Sequence, residues 1–195
     1  MKLSLTAKFF GPRAVLGALD LTVARGERLA LLGPSGIGKS TLLRILLGLD
    51  RDFQGQRDVP ERLAPVFQNP VLLPWRDATE NLTLPTGCTP RTARDWIARA
   101  GLSGHEALFP DQLSLGQQRR LALARAFAAR PDMLVMDEPF ASLDAGTQGR
   151  MLALTGTLLE QGGAGLILVT HDPDEARALG CRILRLSGRP ATLAP

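Results

Sequence analysis

Apolar and polar residues alternate over residues 3–10, the two-residue period of a strand with one buried face. A second strand is expected over 19–24, and Arg25-Gly26-Glu27 reads as a turn. Short apolar runs over 28–32, 63–67, 133–136, 166–170 and 182–186 have the length of buried strands rather than helices. Helical spacing predicts helices over 40–49, 92–100, 115–129, 147–161 and 174–179, with Trp96 and Ile97 inward in the second. Gly48 and the pair Gly162-Gly163 mark helix ends. The segment 50–60 reads as polar and irregular. From 69 to 111 the chain is punctuated by Pro70, Pro74, Pro85, Pro90 and Pro110, which predicts a small, mostly helical insertion. Strands alternating with helices argue for an α/β fold, a mostly parallel sheet with helices on both faces. At 195 residues the chain has room for one domain, 1–195, and a small inserted subdomain at about 69–129.

Candidate chemistry lies where strands end. Gly33-Pro34-Ser35-Gly36-Ile37-Gly38-Lys39-Ser40-Thr41 follows the strand at 28–32 and opens the helix at 40–49, and it matches the phosphate-binding loop in full. Gly36 and Gly38 let successive backbone N–H groups turn toward phosphate oxygens, and the helix adds its positive end. Lys39 offers a compact charge to the β- and γ-phosphates, Ser40 a hydroxyl to Mg²⁺, and Thr41 a further phosphate contact. Asp137 and Glu138 end the strand at 133–136, at the edge where parallel sheets bind ligands. Asp137 is expected to hold Mg²⁺ through water, and Glu138 to orient or deprotonate the attacking water.

Between these halves stands Leu113-Ser114-Leu115-Gly116-Gln117. With the loop and the carboxylates, this resembles the signature motif of the ATP-binding cassette (ABC) ATPases, and the resemblance covers essentially the whole chain. It implies a P-loop fold with a small, trimmed antiparallel β part. It also implies two copies sandwiching two ATP molecules head to tail, the phosphate loop of one facing the signature of the other. Ser114 and the N–H of Gly116 would then meet the γ-phosphate, with the helix from Gln117 aimed at the same anion. By the same resemblance Gln68 senses the metal and the attacking water. Asp144, in Ser142-Leu143-Asp144, couples the two sites. His171 contacts the γ-phosphate, and Phe10 stacks on adenine, with Phe9 as its rival. The motif usually has glycine where Leu115 stands, harmless if that residue has ordinary φ and strained if it needs φ > 0. Arg119 and Arg120 are expected to be solvated or to pair between domains.

The segment Val66-Phe67-Gln68-Asn69-Pro70-Val71-Leu72-Leu73-Pro74-Trp75-Arg76 resembles importer ATPases, nearest to the nitrate, sulfonate and taurine group. That implies a separate membrane permease, with a substrate-binding protein as a further partner. Trp75 is either an anchor for the permease or part of the helical subdomain's core. The alternative function is a soluble ATPase of the same family not coupled to transport. With the sequence ending at Pro195, soon after the last expected strand, no sugar-importer type of regulatory domain is expected.

Composition narrows this little further. The net charge of +4 comes mainly from scattered arginines, the lysines being Lys2, Lys8 and Lys39, so a solvated surface is expected and no nucleic-acid partner. Cys88, Cys181, His105 and His171 stand apart, which disfavours zinc and fits free thiols in a reducing compartment. No apolar run reaches the roughly 18–20 residues of a membrane span, and no signal peptide is read. The expected place is the cytoplasmic face of the inner membrane, peripheral.

Overall fold

A computed structural model describes residues 1–194. Its two sheets follow from two kinds of strand. The amphipathic strand β1 (Lys2–Phe10) pairs antiparallel with β2 (Arg13–Leu16) near its end, and with β3 (Leu19–Thr22) and β5 (Gln54–Asp58) along its first part. The apolar strands build a six-stranded sheet in the order β10-β9-β4-β8-β7-β6. Here β4 is Arg28–Leu32, β6 Leu63–Phe67, β7 Met133–Asp137, β8 Gly165–Thr170 and β9 Arg182–Ser187, all parallel. The short β10 (Thr192–Ala194) adds an antiparallel edge.

Alternate residues of the parallel strands enter two cores. Leu29, Leu31, Val135 and Val169 pack with the antiparallel sheet and with α1 (Lys39–Leu46). Leu32, Met136, Leu166 and Leu168 pack against α4 (Leu115–Ala128) and α5 (Ala145–Gly162). Burial on both faces is why β4, β7 and β8 read as continuous apolar runs. A third core, including Leu82, Ile97, Leu113 and Leu121, joins α2 (Ala78–Thr86), α3 (Pro90–Arg99) and α4. The remaining helix, α6 (Pro173–Ala178), follows β8.

Several elements depart from the sequence expectation. Residues 50–60 are not irregular: β5 lies there, exposed along its length, with no apolar face to reveal it. It is held by ladder bonds to β1 and by Arg57 Nε, which donates to the Leu46 carbonyl at 2.8 Å. The strands β2 and β10, and helix α2, were not expected. Helix α2 starts at a reciprocal cap, Asp77 accepting from the Glu80 N–H at 2.7 Å while Glu80 accepts from the Asp77 N–H at 3.4 Å. Arg119 is not solvated. It is buried, and its Nε and Nη1 have no hydrogen-bond partner among the described residues. Arg120 reaches the loop after α3, donating to the Gly101 carbonyl at 2.9 Å.

Candidate functional site

The phosphate loop joins β4 to α1 at the C-terminal edge of the parallel sheet, and its glycines are there for two separate reasons. Gly38 has φ 114°, and a Cβ on it would meet the Leu16 side chain at 2.8 Å. Gly33 has ordinary φ, but its Cβ would lie 2.8 Å from the Leu186 carbonyl oxygen. The loop is thus wedged between β2 and β9. Lys39 is buried, and its ammonium donates to the carbonyls of Gly33 at 2.7 Å and Pro34 at 3.2 Å.

Parallel pairing brings the carboxylates to the loop. Ser40 Oγ donates to Asp137 Oδ1 at 3.3 Å, across 97 residues of sequence. Burial raises the Asp137 carboxyl above its ordinary range; the Ser40 bond opposes this, and neighbouring Glu138 adds to it. Glu138 lies one residue beyond β7 with φ 47°, a backbone strain common at functional sites. Its N–H donates to the Val169 carbonyl at 2.9 Å, which fixes the bend. Its carboxylate lies between two partners: Lys39 Nζ is 3.5 Å from Oε1, and His171 Nδ1 donates to Oε2 at 2.8 Å. The exposed His171 follows β8, as Glu138 follows β7. Phe67 pairs in register with Asp137, so Gln68 leaves the sheet at the same edge, exposed.

A cavity of about 710 Å³ opens over the loop. Phe10, Lys39, Ser40 and Glu138 line it, and Phe9 does not. Arg13 on β2 and Arg189 in the turn before β10 also line it. Neither arginine carries a motif, and both belong to elements that hydrophobic patterning missed.

Ser114, Gly116 and Gln117 lie outside that cavity, at the start of α4. Ser114 caps the helix: its Oγ accepts from the Gln117 N–H at 3.3 Å, and Gln117 Oε1 accepts from the Ser114 N–H at 2.8 Å. Gln117 Nε2 stands 3.0 Å from His105 Nε2, a contact nothing in the spacing announced. Leu115 is the first helical residue, 52% exposed and absent from the positive-φ positions, so the leucine is unstrained. Asp144 caps α5, accepting from the Thr147 N–H at 3.0 Å. The Thr147 hydroxyl and N–H hold its carboxyl below the usual range.

Trp75 is 68% exposed and does not belong to the helical core. Its segment is fixed from behind. Buried Asn81 accepts from the Leu73 N–H at 2.7 Å and donates to the carbonyls of Leu73, Arg76 and Asp77. Arg125 donates to the carbonyls of Pro70 and Val71. Val71, Trp75 and Leu84 are thereby presented to solvent from an ordered frame.

No helix among the described residues is long and apolar enough to cross a membrane. The ABC transporter family model matches residues 16–141. The chain is similar to the aliphatic sulfonates import ATP-binding protein SsuB 3 of Paraburkholderia xenovorans, 49% identical over 93% of this chain and 75% of that one. It is 47% identical to the corresponding SsuB 2 protein of Rhodococcus jostii, over 91% and 74% of the two chains. Among solved structures it is similar to the ATP-binding cassette MJ0796, in a dimeric post-hydrolysis state bound to ADP and Pi. The TM-score is 0.84 and the identity 29%, covering 100% of this chain and 97% of that one.

Proposed function

Because the chain belongs to the ABC transporter family and is an ATP-hydrolysing subunit of it, we propose that it powers import of a small sulfonate-type anion through a separate membrane permease. The observation that carries the catalytic part is Glu138 fixed between Lys39 and His171, beside the Ser40–Asp137 pair.

This reading assigns the residues as follows. Lys39 and the loop N–H groups bind the β- and γ-phosphates, and Phe10 stacks on the base. Ser40 and Asp137 supply the hard oxygen donors that suit Mg²⁺, which keeps several waters and needs few protein ligands. Mg²⁺ bound there would offset phosphate charge. Glu138 takes a proton from the attacking water as the new bond to the γ-phosphorus forms and the bond to the β–γ bridging oxygen breaks. Gln68 orients that water, and His171 holds Glu138 and reaches the γ-phosphate. Since the signature lies outside the cavity, a second copy supplies Ser114 and Gly116, the start of α4 facing the anion. Asp144 links the two sites.

Exposed Val71, Trp75 and Leu84 suit a docking surface for the permease, and the sulfonate class rests on the names of the relatives. The chain works as one domain with the helical subdomain inserted at about 69–129, peripheral to the membrane at its cytoplasmic face. The test is affinity purification from native membranes in mild detergent. A co-purifying multispanning permease is the expected result. Recovery with soluble partners only would contradict transport and favour an uncoupled ATPase.

A further inference from the structure

Lys8 is the one fully buried lysine far from the phosphate loop, and the catalytic geometry makes no use of it. Its side chain is 2% exposed. The ammonium lies 3.0 Å from Asp50 and 3.4 Å from Asp52 Oδ2, and donates to the Asp52 carbonyl at 2.5 Å. It also stands 4.8 Å from the centroid of the Phe10 ring. Burial works against its charge, but the bonds to Asp50 and Asp52 outweigh that and hold it above the ordinary lysine range.

The placement of these partners gives the cluster a meaning. Lys8 and Phe10 stand on either side of an irregularity in β1, whose register against β2 shifts between Lys8 and Phe9, and it is the ammonium lying over the ring that brings the two together. Asp50 and Asp52 follow α1, whose first turn belongs to the phosphate loop, and the Asp50 N–H is tied back to that helix at the Arg44 carbonyl, 3.1 Å away. One ammonium therefore joins the end of the phosphate-binding helix to the strand that carries the aromatic ring. It also covers one face of that ring, as a cation over an aromatic does favourably. The ring remains 52% exposed and lines the nucleotide cavity.

We propose that Lys8 is a positioning residue for the nucleotide base: by bridging Asp50 and Asp52 to Phe10 it sets the aromatic platform at a fixed distance from the phosphate loop. The inference rests on Phe10 being the residue that stacks on the base. A ring held from behind loses little freedom on stacking, so base affinity depends on the clamp. Phosphate affinity does not, because the loop packs closely on Leu16 and Leu186 and is tied by Lys39 to the carbonyls of Gly33 and Pro34, none of which involves Lys8.

The test compares ATP with inorganic tripolyphosphate, which has the phosphates and no base. Lys8→Met is expected to weaken ATP binding by roughly five- to tenfold, the scale of one lost stacking contact, and to leave tripolyphosphate binding unchanged. Lys8→Arg, which keeps the charge, is expected to retain most of the ATP affinity. Should Lys8→Met fail to fold, Lys8→Met/Asp50→Asn, which leaves no charge unpaired at Asp50, carries the same comparison. Equal weakening of both ligands would make Lys8 a support of the fold and overturn the proposal; so would no weakening of either. Phe10→Ala, measured alongside, separates the two levels. If it weakens ATP binding while Lys8→Met does not, the clamp alone is wrong; if it leaves ATP binding unchanged, the stacking role of Phe10 fails, and the clamp with it.

Discussion

Glu138 has few ways to move. Its backbone is bent to φ 47°, its N–H is tied to Val169, and its two carboxylate oxygens face Lys39 and His171. Lys39 is the more consequential partner, because its ammonium also fixes the loop through Gly33 and Pro34. Lys39→Ala is expected to lower ATP affinity at least about tenfold, the loss of one charge-assisted phosphate contact. Isothermal calorimetry would show it, and unchanged binding would contradict the loop's role. A second residue-scale prediction concerns Cys181. Burial pushes its thiol from an ordinary 9.0 up to about 11. A raised thiol pKa favours the protonated form in the fold, so the thiolate is scarce until pH approaches 11. At pH 8 alkylation of Cys181 should be roughly a hundredfold slower in the folded chain than after denaturation, since the thiolate is the reactive form. Mass spectrometry of quenched samples measures this, and equal rates would show the thiol is not shielded. The loop, Asp137 and Glu138 stood out in the sequence because they close buried strands, while His171 was singled out through the family resemblance. Arg13 and Arg189, which line the cavity, did not stand out, and neither did the contacts of Lys8 with Phe10 and of His105 with Gln117, because no local spacing encodes such pairings.

Visibility of an element depended on whether its own residues carried the pattern. The strands β4, β7 and β8 are apolar because they are buried, and they stood out, while β6 and β9, only partly buried, still showed short apolar runs. β5 is polar throughout and is a strand only because β1 and the Arg57–Leu46 bond hold it. α2 carries a reciprocal cap, Asp77 with Glu80, yet Pro85 in its last turn and its weak apolar face hid it. The reward of α2 is Asn81. This fully buried amide accepts one bond and shares its two N–H groups among three carbonyls, all backbone of the segment 73–77. Asn81→Ala strands several buried polar groups, each costing about 1–3 kcal/mol. A loss of about 2–4 kcal/mol in urea unfolding is the expected outcome; a loss below about 0.5 kcal/mol would mean the segment is held otherwise. Trp75→Ala in the same segment should change stability by no more than about 0.5 kcal/mol, as an exposed side chain does. If the surface receives the permease, the same substitution removes the permease from detergent pull-downs; retention at wild-type level would move the interface elsewhere.

At the scale of the molecule, the residues proposed for the nucleotide site fall in two places. The cavity over the phosphate loop holds Lys39, Ser40 and Glu138, while the cap at Ser114 opens α4 elsewhere on the same chain. The parallel sheet explains the first group, since every strand end in it points to one edge. The third core explains the second, since Leu113 and Leu121 anchor the start of α4 to the helical insertion. On the proposed reading such a chain completes its site only against a second copy, which stays while the γ-phosphate is intact. The most direct measurement is therefore the mass of Glu138→Gln in solution, by light scattering with saturating Mg²⁺ and ATP, alongside its rate of phosphate release. The account predicts a stable dimer that holds ATP and releases phosphate at least about a hundredfold more slowly than the unaltered chain, the range for loss of a catalytic base. A monomer under those conditions, or turnover at the normal rate, would contradict it.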